Sequence, residues 1–106
     1  FVTLLLLLSK PEVVELFGVT ILDADCVADV AANTTLKMLR TMGYEHIPVA
    51  VSTLKGVNPF PDVWRWSPLS VDVLPAINKV QDPAVVQRPL VTNQTGQDFF
   101  CDLLLA

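Results

Sequence analysis

The strongest constraint on the fold of this chain is a change of hydrophobic period along its first half. Leu16-Phe17-Gly18-Val19-Thr20-Ile21-Leu22 is rich in β-branched and aromatic residues and apolar on both faces. A strand of that kind belongs in a parallel sheet covered by helices. Next, Val27, Val30, Ala31, Thr34, Met38, Leu39 and Met42 recur at three- and four-residue spacing, which predicts an amphipathic helix. Gly43 is placed to end that helix as its C′ residue. Ile47-Pro48-Val49-Ala50-Val51 reads as a second strand, with Pro48 near its start, where a missing N–H is tolerated. Strand, helix, strand is one unit of a parallel α/β sheet.

The flanks fit that unit. Phe1 to about Ser9 is apolar almost all round, the pattern of the end of a buried helix, and Lys10-Pro11 stops it. From Ser52 to about Gln94 the periodicity dissolves among Pro59, Pro61, Pro68, Pro75, Pro83 and Pro89. A loop that long inside a compact unit is usually functional. Thr95-Gly96-Gln97-Asp98 resembles a capping box opening a last helix, with Phe99 to Leu105 as its buried face. The predicted class is α/β: a partial doubly wound, mainly parallel sheet with flanking helices. The 106 residues suffice for one small domain and not for two. Phe1 has no basic region before it, and Phe99 to Ala106 runs out in mid-helix without a cap. Residues 1–106 are therefore expected to be a single partial domain, truncated at both ends.

Composition removes several function classes. Apolar residues make up 52% of the chain and charged ones 17%, so general disorder is excluded. The excess apolarity, with a mean hydropathy of +0.51, suggests a piece whose covering surface lies elsewhere. A net charge of −4 opposes binding to nucleic-acid backbones, which needs clustered Lys and Arg. The Leu4–Leu8 run is far shorter than the roughly 20 residues that cross a bilayer. Cys26 and Cys101 have no metal-ligand spacing and read as free buried thiols of a reducing compartment, which favours the cytoplasm. Asn33-Thr34-Thr35 and Asn93-Gln94-Thr95 match the glycosylation acceptor pattern, but Asn33 falls in the predicted helix.

In open α/β sheets, ligands gather beyond the carboxyl ends of the strands. Asp23-Ala24-Asp25-Cys26 and Ser52-Thr53-Leu54-Lys55-Gly56 occupy those places. Asp23 and Asp25 could hold a hard cation or sugar hydroxyls; the alternative, which the spacing favours, is that one of them caps the helix that follows. The loop from Gly56 to Trp66 brings Phe60, Trp64 and Trp66 for stacking on a planar heterocycle, and Arg65 as a fork of donors. The alternative for these rings is a local hydrophobic staple. His46 lies in the turn at the far end of the sheet, a solvated position. No Gly-rich phosphate loop and no zinc spacing occur.

Taken together, Leu4–Leu8, Leu16-Phe17-Gly18-Val19-Thr20-Ile21, Asn33-Thr34-Thr35-Leu36, Ile47–Val51, Asn58-Pro59-Phe60-Pro61 and Trp64-Arg65 resemble the inosine–uridine-preferring nucleoside hydrolase family. The likeness runs through most of the chain. It implies a parent enzyme that hydrolyses the N-glycosidic bond of ribonucleosides to base and ribose. It also implies a calcium ion in that parent, held by an Asp-rich motif at the end of a strand just before Phe1 and by later residues. No catalytic residue and no metal ligand is then expected within this chain, and the chain alone is expected to be inactive. By alignment on Val19-Thr20-Ile21, Asp25 stands where the family commonly has an Asn that contacts the sugar. This departure removes an amide donor and leaves substrate choice open. The resemblance places Trp64, with Trp66, in a loop near the pocket mouth, so Asp25 and Trp64 are the candidate substrate-binding residues. It further implies a homo-oligomeric parent. The rival readings are a non-catalytic α/β binding or interaction module, whose apolar excess marks a protein surface, and a different sugar-processing α/β protein.

Overall fold

The computed structural model describes residues 1–57, 60–79 and 92–106. Helix α1 (Val2–Leu8) leads through an extended segment to strand β1 (Val19–Asp23), helix α2 (Ala28–Thr41) and strand β2 (Val49–Lys55). Three short helices follow, α3 (Asp62–Arg65), α4 (Pro68–Asp72) and α5 (Pro75–Asn78), and then α6 (Gly96–Leu105). The two strands pair in parallel, Val19 opposite Val49 and Ile21 opposite Val51. This is the predicted α/β class, a parallel pair with flanking helices. Asn58, Pro59 and the stretch 80–91, with Pro83 and Pro89, lie outside the described residues.

The sheet is covered on both faces where β2 begins. Val49 and Ala50 are successive, so they point to opposite faces, and both are 0% exposed. Val49 joins Leu8, Leu39 and Ile47 in the core, with Leu4, Leu16, Val19, Ile21, Leu36 and Tyr44 packed around them. Helix α2 packs on both strands and also against α4 and α5. Contacts on two sides explain why polar Thr34 and Thr35 are buried beside Met38 and Leu39. Asn33 lies on the exposed side of α2 and donates its amide to Asp72. Helix α2 ends as predicted. Gly43 has φ +79°, its N–H bonds the Arg40 carbonyl, and the Tyr44 N–H bonds the Leu39 carbonyl, the paired closure of a Schellman motif.

Several boundaries differ from the sequence expectation, each for a physical reason. Strand β1 starts at Val19 rather than near Leu16. Its ladder opens where the Val19 N–H bonds the Pro48 carbonyl, and Pro48 has no N–H to extend pairing further back. Strand β2 runs on to Lys55 instead of ending at Val51, so Ser52 to Lys55 are strand and not loop. The register shifts there, with Asp23 opposite Lys55. Gln97 of α6 fills the irregularity: its Oε1 accepts from Ser52 Oγ and the Thr53 N–H, and its Nε2 donates to Thr53 Oγ1. Helix α1 is a helix as expected but mostly exposed, with only Leu8 buried. The long loop is also corrected. Prolines initiate its helices: Pro61 is the N-cap of α3, and Pro68 and Pro75 open α4 and α5.

Helix α6 opens as a capped helix, Thr95 Oγ1 accepting from the Asp98 N–H and donating to the Asp98 carboxylate. A Cβ on Gly96 would lie 2.9 Å from the Ser52 backbone nitrogen, so the α6 start sits directly on β2. Gly96→Ala is expected to destabilise the protein by about 1–2 kcal/mol, because overpacking against backbone exceeds the gain in helix propensity. Urea unfolding of the two forms checks this.

Candidate functional site

Strand β1 delivers Asp23 to its carboxyl end, and the chain turns through Ala24, Asp25 and Cys26 into α2. Helix α3 lies against that turn. Arg65 Nη2 donates to Asp23 Oδ1 at 2.5 Å, Arg65 Nε donates to the Ala24 carbonyl at 3.3 Å, and the Arg65 carbonyl accepts from the Val27 N–H at 2.9 Å. From the other side the Gly56 N–H donates to the Asp23 carbonyl. Four backbone or side-chain bonds thus join β1, the β2 end and α3 at the edge where α/β sheets bind ligands.

These bonds revise two sequence readings. The N-cap of α2 is Val27, with no side-chain cap, so Asp25 does not serve as the cap. Asp23 is paired with Arg65, so Asp23 and Asp25 are not a free carboxylate pair for a cation. Among the described residues, no group of three or more His, Cys, Asp or Glu side chains gathers to hold a metal ion. The described residues do not form a calcium cage.

Asp25 and Trp64 come together. They line an open cavity of about 510 Å³ with Cys26, Phe60, Val63 and Ser67. The Phe60 and Trp64 ring centroids are 5.8 Å apart at 32°, and both rings remain exposed, Trp64 by 60%. The rings therefore stack on each other and do not act as a staple to the core. Trp66 is half-exposed, caps the end of α3 and is not part of this cavity wall. A smaller recess of about 150 Å³ lies alongside, between Asp23, Lys55 and Arg65.

The remaining candidates lie elsewhere. His46 is exposed in the turn before β2, its ring 6.0 Å from Tyr44. It borders a separate cavity of about 490 Å³ at the opposite end of the sheet, walled chiefly by Leu7, Pro11, Leu16 and Pro48. Both thiols are free, but neither is buried: Cys26 is partly exposed and Cys101 fully on the surface. The pairing of Arg65 with Asp23 was invisible in the sequence, since the partners are 42 residues apart and no local pattern links them.

Comparison with known proteins gives a likeness of fold. No family model matches the chain, and no curated protein matches it. Among solved structures, the inosine-uridine preferring nucleoside hydrolase from Bacillus anthracis superposes with a TM-score of 0.79 at 31% identity. The match covers 95% of this chain and 32% of that one, so the chain spans about a third of the length of that structure. The fold is nucleoside hydrolase-like. Among the described residues, no helix is long and apolar enough to cross a membrane.

Proposed function

We infer that this chain contributes part of the substrate pocket of an enzyme that hydrolyses the N-glycosidic bond of ribonucleosides. The observation that carries the reading is the meeting of Asp25 and Trp64 in one cavity beyond the carboxyl end of β1. The likeness in fold and sequence to a nucleoside hydrolase supports the reaction class. In this reading the Asp25 carboxylate accepts hydrogen bonds from ribose hydroxyls, and the Trp64 face, backed by Phe60, stacks on the planar base. Cleavage develops positive charge on the sugar, which a carboxylate close by stabilises. Trp64 also keeps water from one side of the bond to be broken. Calcium, when bound, would be held by residues outside this chain. The whole protein is then a homo-oligomer working on free ribonucleosides in the cytoplasm.

The test is release of base from inosine and uridine by the purified whole protein. Cleavage is expected, and Asp25→Ala is expected to raise KM about tenfold, the cost of losing a charge-assisted hydrogen bond. The 106-residue chain alone is expected to release no base. Absence of cleavage by the whole protein, with either nucleoside, refutes the reading. The non-catalytic module then gains, since Phe100 and Leu104 on α6 and Val2 and Leu6 on α1 are exposed apolar side chains that a partner would cover.

A further inference from the structure

The geometry points to Arg65 as a positioning residue, a clasp that holds the Trp64 ring opposite Asp25 and so sets the width of the cavity between them. Asp25 and Trp64 belong to different segments, and what ties those segments together is the set of bonds made by Arg65. Its side chain and carbonyl reach Asp23, Ala24 and Val27, that is, both sides of Asp25. Trp64 precedes Arg65 in α3, so fixing the Arg65 direction fixes that of Trp64 a helical step away.

Beyond Arg65, the nearest anchor is the buried Pro68 that opens α4; α3 itself supplies none. Helix α3 has four residues and none is buried. Val63 and Trp64 are exposed, so the segment has no apolar anchor comparable to that of α2. An exposed ion pair would contribute little. This one is different: the Arg65 and Asp23 side chains are only 23% and 24% exposed, and the same guanidinium also bonds a carbonyl. A single guanidinium can serve a carboxylate and a carbonyl together because its donors are fixed in one plane; a lysine ammonium offers one point of charge. Arg65 touches neither sugar nor base in this scheme and acts through Trp64.

The consequence for substrate binding rests on the proposed function, whereas the consequence for the cavity does not. Cys26 lines the same cavity, and its thiol reports how open it is. In the whole protein, alkylation of Cys26 by N-ethylmaleimide, followed residue by residue with peptide mass spectrometry, is expected to be about tenfold faster in Arg65→Gln, as for loss of a charge-assisted hydrogen bond. Arg65→Lys should fall between the two. For nucleoside hydrolysis, Arg65→Gln should raise KM about tenfold with kcat within about twofold, the signature of lost positioning in binding. Unchanged Cys26 reactivity in folded Arg65→Gln overturns the proposal, as does a fall in kcat with KM unchanged. If Arg65→Gln does not fold, Arg65→Lys and Asp23→Asn carry the same measurement: faster alkylation supports the clasp, and an unchanged rate overturns it. Faster alkylation in a protein that cleaves no nucleoside upholds the clasp and refutes the proposed function.

Discussion

Leu39→Ala is expected to lower the unfolding free energy by about 3 kcal/mol, within the 2–5 kcal/mol range of buried leucine truncations. Leu39 is 1% exposed and lies in a cluster that joins four parts of the chain. It meets Leu8 of α1, Ile47 of the turn and Val49 of β2, while Leu36, Val19 and Ile21 pack around the same cluster. Removing three side-chain carbons forfeits both their transfer from water and their contacts, and the neighbours have little freedom to close the gap. Val49 is held by the strand ladder, and Leu39 itself is tied near the Schellman closure by the Tyr44 N–H bond to its carbonyl. Helix α1 is joined to the rest mainly through Leu4 and Leu8, so it should be the first element to lose protection. Hydrogen exchange with urea unfolding measures both effects. A cost below about 1 kcal/mol would show that the cluster collapses around the smaller side chain and is not the core.

The fold was legible where local chemistry and global packing agree. Helix α2 shows this best: its apolar spacing, its two-sided burial and the Gly43 closure all point to the same segment, and the structure places it at Ala28–Thr41. The strand pair was legible too, although only β2 is covered on both faces, at Val49 and Ala50; on β1 the face carrying Thr20 and Leu22 is exposed. Errors arose where a residue has two meanings. A proline breaks a helix from within and starts one at its first turn, and composition cannot tell which. Pro61, Pro68 and Pro75 are starts, so three helices stand where a loop was expected. Serine and threonine likewise read as loop at Ser52 and Thr53, but the strand continues because Gln97 satisfies its irregular stretch from another element.

The candidate site was legible in part for the same reason. The position of Asp25 follows from its place just after β1, which is local information. That Trp64 should face it follows from α3 folding back across the turn, which is not local. The sequence also offers Asp23 and Asp25 as equals. Only the tertiary pairing separates them, one carboxylate neutralised by Arg65 and the other left at the cavity. An aromatic–arginine pair such as Trp64-Arg65 carries a weak signal of such a clasp, because the arginine can bind the body while its neighbour faces outward.

Asp72→Ala is expected to cost about 2–3 kcal/mol at pH 7, and the part of the cost that comes from the carboxylate charge should fall away in acid. Asp72 ends α4 and receives three side chains of α2: its Oδ1 accepts from Asn33 at 2.7 Å and Thr34 at 3.1 Å, and its Oδ2 from Lys37 at 3.0 Å. Lys37 also donates to the Asp72 carbonyl, as does Asn78, closing the end of that helix. Burial alone would raise the carboxyl pKa. The hydrogen bonds from Lys37, Thr34 and Asn33, with the Lys37 charge, outweigh it and hold the group below the ordinary carboxylate range. A depressed folded pKa means that the carboxylate stabilises the protein above the unfolded pKa of about 4, and that this contribution is lost as pH falls through the folded value. Removing the side chain leaves a largely covered Lys37 ammonium and Thr34 hydroxyl without their partner, which sets the magnitude, reduced because both ion-pair partners keep some exposure. Asp72→Asn keeps an acceptor for Asn33 or Thr34 but cannot titrate, so its cost at pH 7 should be smaller. The gap between the natural protein and Asp72→Asn, measured by urea unfolding from about pH 7 to about pH 2.5, is expected to shrink steadily below about pH 4. A gap that stays constant across that interval would mean that Asp72 holds α4 to α2 by shape alone, with its charge contributing nothing.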